Sequence, residues 1–142
     1  MKMKPKVILV MGLPGSGKTT LSKILKKNLG AAYINADEVR KKFNDWDFSI
    51  KGRERQAKRM KELAQEHISK GSMVIADFIC PTSKTRSEFN ADFLIFMDTI
   101  DSGRYDDTNK LFEKPKKYDF LVKEKNADIY AKKIIEKLNA NK

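Results

Sequence analysis

Eight residues constrain this chain more than any others. Gly12-Leu13-Pro14-Gly15-Ser16-Gly17-Lys18-Thr19 spells G-x-x-x-x-G-K-T. Lys6 to Met11, just before it, is short, apolar and rich in β-branched residues. Just after it, Thr20 to Leu29 places apolar residues at 21, 24, 25 and 29, and Gly30 stops the run. Strand, glycine turn and helix in that order form a phosphate-binding loop. The glycines let backbone N–H groups wrap an anion, and the helix N-terminus adds its positive end. Lys18 brings a mobile charge to the outer phosphates, and the Thr19 hydroxyl is placed to hold Mg²⁺. The expected ligand is a nucleoside triphosphate with its metal, lined by Gly12, Leu13, Pro14, Gly15, Ser16, Gly17, Lys18, Thr19 and Thr20.

Strands and helices alternate along the rest of the chain. Residues 31–35 read as a second strand leading into a helical turn at 37–43. A helix is expected from Gly52 to Lys70, with Ala57, Met60, Leu63, Ala64, His67 and Ile68 on one face and Gly71 as its stop. Residues 73–79 and 93–97 read as strands buried on both faces, with a short helix from Thr82 or Ser83 to Phe89 between them. Residues 119–122 read as a short last strand. Asn126 then caps a closing helix with Ile129, Ile134, Ile135 and Leu138 toward the core. This alternation predicts an α/β fold of the phosphate-loop NTPase type. It has three layers, α/β/α, with a mostly parallel sheet of about five strands and ligands at the strands' carboxyl ends.

The 142 residues suit one domain spanning 1–142. Apolar residues make up 40% and charged residues 35%, and no apolar run reaches membrane-spanning length. The basic residues from Met1 to Lys6 precede an apolar run that breaks at once into the glycine loop, with no small-residue cleavage site, so no signal segment is expected. One cysteine, Cys80, leaves no internal disulfide and points to the cytoplasm. The net charge is +11, yet only six of the thirty basic residues are arginine: 40, 53, 55, 59, 86 and 104. Scattered lysine is mostly a solubility feature, and no interleaved aromatic and basic pattern marks a dedicated nucleic-acid surface. The charge suits an anionic substrate.

Asn35-Ala36-Asp37-Glu38-Val39-Arg40 resembles the D-G-D-N-V-R segment of the adenylylsulfate kinases. Asn44 to Ser49 is similar to their N-x-D-L-G-F-S, and Arg53 to Arg59 to R-E-x-N-I-R-R. Val74 to Pro81 and Arg86 follow their V-I-A-A-F-I-S-P and R, so the resemblance is nearly continuous from residue 7 to 98. It implies ATP as phosphoryl donor, Mg²⁺, and a small anionic nucleotide as acceptor, with a homodimer left open. It further implies Lys18 and Asp37 as catalytic residues, and Thr19 and Asp37 at the metal. Arg40, Phe48, Arg53, Gln56 and Ile79 would form the acceptor pocket, with Phe112 completing it. That pattern is chemically sensible: guanidinium forks pair with anionic oxygens, an amide reads a base edge, and aromatic rings sandwich a purine.

Three departures bear on the substrate. Asn35 replaces the first Asp of D-G-D. Asp77 stands where the family has Ala, one residue past the expected sheet edge, as a metal-side carboxylate or a capping or solvated residue. The basic lid of the family shrinks to Thr99–Leu111, with Arg104 and Lys110 as phosphate contacts. Several other residues carry plainer expectations. Asp37 could cap a helix, Phe48 could be core, Arg53 could belong to a surface run with Arg55 and Arg59, and Trp46 could stack on a base or cover the core. His67 reads as a packing residue and Cys80 as an inert thiol. The reaction implied is transfer of the γ-phosphoryl group of ATP to the ribose 3′-hydroxyl of adenylyl sulfate. The alternatives are a kinase for another hydroxyl, such as a polynucleotide 5′-end or a small metabolite, and a non-catalytic nucleotide-binding module.

Overall fold

The structure is a computed structural model and describes residues 4–140. The leader residues Met1 to Met3 and the end of the lysine-rich tail, Asn141 and Lys142, lie outside them. Five strands form one parallel sheet in the order β2-β3-β1-β4-β5. They are β1 (Val7–Met11), β2 (Ala32–Asn35), β3 (Val74–Asp77), β4 (Phe93–Met97) and β5 (Phe120–Val122). The helices are α1 (Lys18–Leu29), α2 (Ala36–Phe43), α3 (Ile50–Ser69), α4 (Ser83–Phe89), α5 (Asp106–Leu111) and α6 (Ala127–Ala140).

The period of two along β1 builds the three layers. Val7, Leu9 and Met11 pack with α3 through Ala57, Met60 and Ala64. Ile8 and Val10 point the other way, onto Leu21 and Leu25 of α1 and Ala131, Ile134 and Leu138 of α6. A central strand covered on both faces has to be apolar at every position, and every residue of β1 is buried. The parallel register brings Val10, Asn35 and Asp77 to one level at the carboxyl end of the sheet, with Asp77 directly opposite both of the others.

Several boundaries differ from the sequence expectation for local reasons. α3 begins at Ile50, ahead of Gly52, because the Ser49 hydroxyl caps it by accepting from Gly52 N–H. β3 ends at Asp77, not at Ile79, and Cys80 then turns the chain with a left-handed φ of 47°. Asp77 is therefore the last residue of the strand and not beyond it. Ile129 is exposed, since the stripe of α6 is Ala131, Ile134 and Leu138, and a residue two before that stripe sits about 200° away around the helix. α5 was not expected at all: it has no apolar period, and tertiary bonds hold it in place.

Candidate functional site

The phosphate loop is fixed largely by its own atoms. Ser16 N–H donates to the Leu13 carbonyl at 3.1 Å, and Lys18 Nζ reaches the same carbonyl at 2.9 Å. Thr99 Oγ1 donates to Ser16 O at 2.7 Å, tying the loop to the chain after β4. Gly12 has φ 155°, and a Cβ there would meet Met97 O at 2.8 Å and Ser16 Oγ at 2.9 Å. Only glycine lets the strand end pass this close. Ser16 Oγ is buried without a hydrogen-bond partner. The first turn of α1 carries no acidic residue of its own. Burial lowers the pKa of Lys18, Asp77 and Asp37 oppose that shift, and Arg104 adds to it.

Beside the loop lies a buried hydrogen-bond cluster. Asp77 is 2% exposed, and its Oδ2 accepts from Thr19 Oγ1 at 2.9 Å, Tyr33 OH at 2.7 Å and Asn35 Nδ2 at 3.2 Å. It is neither a cap nor a solvated residue. Burial, followed by the hydrogen bond to Asp77, drives the Tyr33 phenol well above its ordinary pKa. The helix cap expected at Asp37 falls instead to Asn35, whose Oδ1 accepts from Glu38 N–H at 3.1 Å. Asp37 is exposed in the first turn of α2, free of that duty. Tyr33 escaped the sequence reading, although its i, i+2 relation to Asn35 on a strand was available to find it.

Across the crevice, Arg40 and Arg53 converge on Phe48, with guanidinium carbons 4.3 and 5.5 Å from the ring centre. Phe48 is 51% exposed and is not core. Arg40 and Arg53 are only 5% and 8% exposed, so Arg53 does not belong to a surface run. Arg40 Nη1 donates to the Asp45 and Asp47 carbonyls. Arg53 donates from Nε to Phe48 O at 2.8 Å and from Nη2 to Thr108 Oγ1 at 3.1 Å. Neither guanidinium has a carboxylate partner among the described residues, in contrast to Arg55 and Arg59, which pair with Asp45. Burial lowers both pKa values; at Arg40 the charge of Asp45 opposes it. Buried guanidinium groups with no carboxylate in direct contact among the described residues make a ready site for an anion.

Other expected contributors are placed differently. The Gln56 amide is engaged at both ends, donating to Ala36 O at 3.0 Å and accepting from Arg59 Nη1 at 3.0 Å. It locks α3 to α2 and is not free to read a base. Phe112 packs into the core, stacked on Phe96 at 6.2 Å and beneath Arg86. Ile79 is half-buried beyond the end of β3 and lies outside the cavity of about 170 Å³ beside Arg53, which Ile50, Pro81, Thr85 and Leu111 help to line. Trp46 is exposed. Arg104 is exposed too, with Tyr105 under its guanidinium at 5.5 Å. Arg86 spends its N–H groups on the carbonyls of Cys80, Pro81 and Glu113.

The short segment after β4 is pinned at several points. Gly103 packs on Pro14, Asn109 makes a reciprocal pair with Gly103, and Thr108 receives Arg53. Glu113 accepts from Ser83 N–H at 2.8 Å and donates its own N–H to Pro81 O at 2.7 Å. At the end of β4, Asp98 is held by Lys123 and Lys114, which keep its carboxyl below the usual range, Lys123 the more strongly.

A parallel sheet in this order, with a phosphate loop between β1 and α1 and a carboxylate on the neighbouring strand end, defines the P-loop kinase fold. The structure of the Mycobacterium tuberculosis APS kinase CysC in complex with AMPPNP and APS is similar, with a TM-score of 0.80 at 21% identity. That match covers 96% of this chain and 99% of that one. The Aquifex aeolicus shikimate kinase shares the fold at a TM-score of 0.69 and 18% identity, over 95% of this chain and 97% of that one. The family model for adenylylsulphate kinase matches residues 4–120, and the chain belongs to that family. The adenylyl-sulfate kinase of Thermodesulfovibrio yellowstonii is 32% identical over 93 residues, which are 61% of this chain and 46% of that protein. That of Shewanella halifaxensis is 33% identical over 96 residues, 63% and 47% respectively. The chain thus spans about half the length of these relatives. Among the described residues no helix is long and apolar enough to cross a membrane.

Proposed function

We propose that this chain transfers the γ-phosphoryl group of ATP to the ribose 3′-hydroxyl of adenylyl sulfate. Family membership supports the reaction class. The observation that carries the acceptor is the pair of buried guanidinium groups, Arg40 and Arg53, paired with no carboxylate among the described residues and converging on the exposed ring of Phe48. An adenine nucleotide with a phosphate–sulfate group offers what this arrangement lacks, a flat ring and anionic oxygens.

The residues present fit ATP and Mg²⁺. Ser16 Oγ, without a partner among the described residues, the N-terminus of α1 with no acidic residue of its own, and the bent-back Lys18 ammonium all suit a triphosphate. A Thr hydroxyl bonded to a buried carboxylate is a donor set for a hard cation, and Thr19, Asp77 and Asp37 would hold it. Bound magnesium neutralises charge on the phosphoryl oxygens. Lys18 steadies the outer phosphates, and Arg104 reaches them from the segment after β4. Arg40 and Arg53 orient the acceptor and Phe48 stacks on its base. Asp37, exposed on the acceptor side of the crevice, accepts the proton of the incoming hydroxyl.

ADP formation measured with a panel of acceptors tests the proposal. Adenylyl sulfate should give saturable turnover, and an oligonucleotide 5′-end or shikimate should not. Turnover with either of those two alone assigns the pocket to that acceptor. ATP binding without turnover on any acceptor favours a non-catalytic module.

A further inference from the structure

We infer that Tyr33 and Asn35 are positioning residues, which fix the Asp77 carboxylate and through it aim the Thr19 hydroxyl at a divalent cation. The inference rests on the metal role of Thr19 and Asp77 proposed above. Three donors, from Thr19, Tyr33 and Asn35, converge on Asp77 Oδ2, and no hydrogen bond among the described residues reaches Oδ1. The carboxylate is thus anchored by one oxygen, with the other left over. A threonine hydroxyl has one proton and two lone pairs. With its proton spent on Asp77, Thr19 Oγ1 keeps its lone pairs for a cation and cannot turn its proton toward it.

That orientation depends on Asp77 holding still. Asp77 is nearly fully buried, and without the two donors of β2 it would keep a single hydrogen bond from Thr19. Tyr33 and Asn35 are two apart on a strand and share a face, and Asn35 stands opposite Asp77 in register. The Asn35 amide is itself fixed in sense. Its oxygen caps α2 at Glu38 N–H, so its nitrogen faces Tyr33 OH at 3.3 Å and Asp77 at 3.2 Å. A flipped amide would lose all three bonds. One asparagine therefore starts α2, which carries Asp37 and Arg40, and also braces the carboxylate on the phosphate side.

Mn²⁺ affinity of the ADP-bound protein, read by electron paramagnetic resonance, tests this together with ADP affinity in EDTA, read by calorimetry. Tyr33→Phe should weaken Mn²⁺ binding about tenfold, the scale of lost support behind a metal ligand, and leave metal-free ADP affinity within about twofold. Asp77→Asn should weaken Mn²⁺ binding at least as much, and adding Tyr33→Phe to it should cost little more, because the phenol acts through Asp77. Asn35→Ser keeps a capping oxygen but removes the amide donor, and should give a smaller loss in the same direction even if Tyr33→Phe fails to fold. Unchanged Mn²⁺ affinity in folded Tyr33→Phe or Asn35→Ser, or an equal loss of metal-free ADP affinity, overturns the inference. So do fully additive losses in the double variant. No acceptor enters the assay, so a wrong acceptor leaves it intact, whereas a parent protein whose ADP complex binds no Mn²⁺ overturns the metal assignment itself.

Discussion

The two sides of the crevice are built on different principles. On the phosphate side, Lys18 and Ser16 both bond to Leu13, within five residues of themselves, and the long-range bonds of Thr99 and Asp77 tie the loop so formed to the sheet. On the proposed acceptor side, Arg53 reaches Thr108, Arg59 reaches Asp45, and Gln56 reaches Ala36, each bridging distinct elements. The first side buries Gly12, Leu13 and Ser16 and exposes Gly15, Thr19 and Thr20. The second leaves Phe43, Trp46, Phe48 and Ile50 about half or more exposed. Chemistry common to many kinases is served by a local motif, while selectivity is assembled from distant parts that can vary one by one.

The sharpest way to break that division is Lys18→Ala. If the loop serves catalysis and not folding, turnover falls on the order of 10²–10³-fold and the thermal melt stays in place. Retained turnover erases the distinction. Phe48→Ala, on the other side, should raise the KM for adenylyl sulfate about tenfold, equivalent to about 1.4 kcal/mol, with the KM for ATP nearly unchanged. Equal shifts for both substrates would show the two sides act as one pocket.

Gly52→Ala probes how rigid the acceptor side is. A Cβ at Gly52 would fall on the Asp47 carbonyl, in the loop that carries Phe48. Urea unfolding should show a loss of about 1–3 kcal/mol, as for other overpacked sites. No loss would mean the loop gives way freely.

Cys80 tests the buried turn beneath both sides. Burial pushes its thiol from the ordinary 9.0 up to about 12. A folded value above the unfolded one stabilises fully below pH 9 and is lost as pH rises toward about 12. The parent should therefore lose stability in that window relative to Cys80→Ala, and native protein at pH 8 should resist alkylation. Rapid native alkylation would refute this.

The smallest effect belongs to Asp45. Arg55 foremost, and then the Asp47 amide, hold its carboxyl below the usual range. A depressed folded pKa stabilises above the ordinary carboxylate pKa and is lost on acidification, so Asp45→Asn should flatten the acid limb of the stability profile. Arg55 is half-exposed, so solvent screens its pair with Asp45 and the shift at pH 7 should be small.

Much of this was legible along the chain. The glycine turn between an apolar strand and a helix announced the phosphate loop, since backbone freedom at glycine and anion binding at a helix start are local properties. The continuous apolar runs of β1, β3 and β4 announced strands covered on both faces. Arg40, Phe48 and Arg53 were legible as candidates only through resemblance, because nothing in spacing alone says that a half-exposed ring and two buried guanidinium groups meet.

Tertiary structure decided what lies between strands and between helices. Asp77 became a buried acceptor for Thr19 because parallel pairing set it opposite Asn35 and beside β1, a neighbour relation that spans 42 residues of sequence. Gln56 turned from a candidate reader into a strut because α2 packs where its amide points. α5 exists where no apolar period calls for it, held by Arg53 and Asn109. The sequence by itself determined the loop, the layer pattern and the family, all of which depend on near neighbours and side-chain period. Which carboxylate meets the Thr19 hydroxyl, and which arginines lack a carboxylate partner among the described residues, depended on packing that brings distant residues within hydrogen-bond reach.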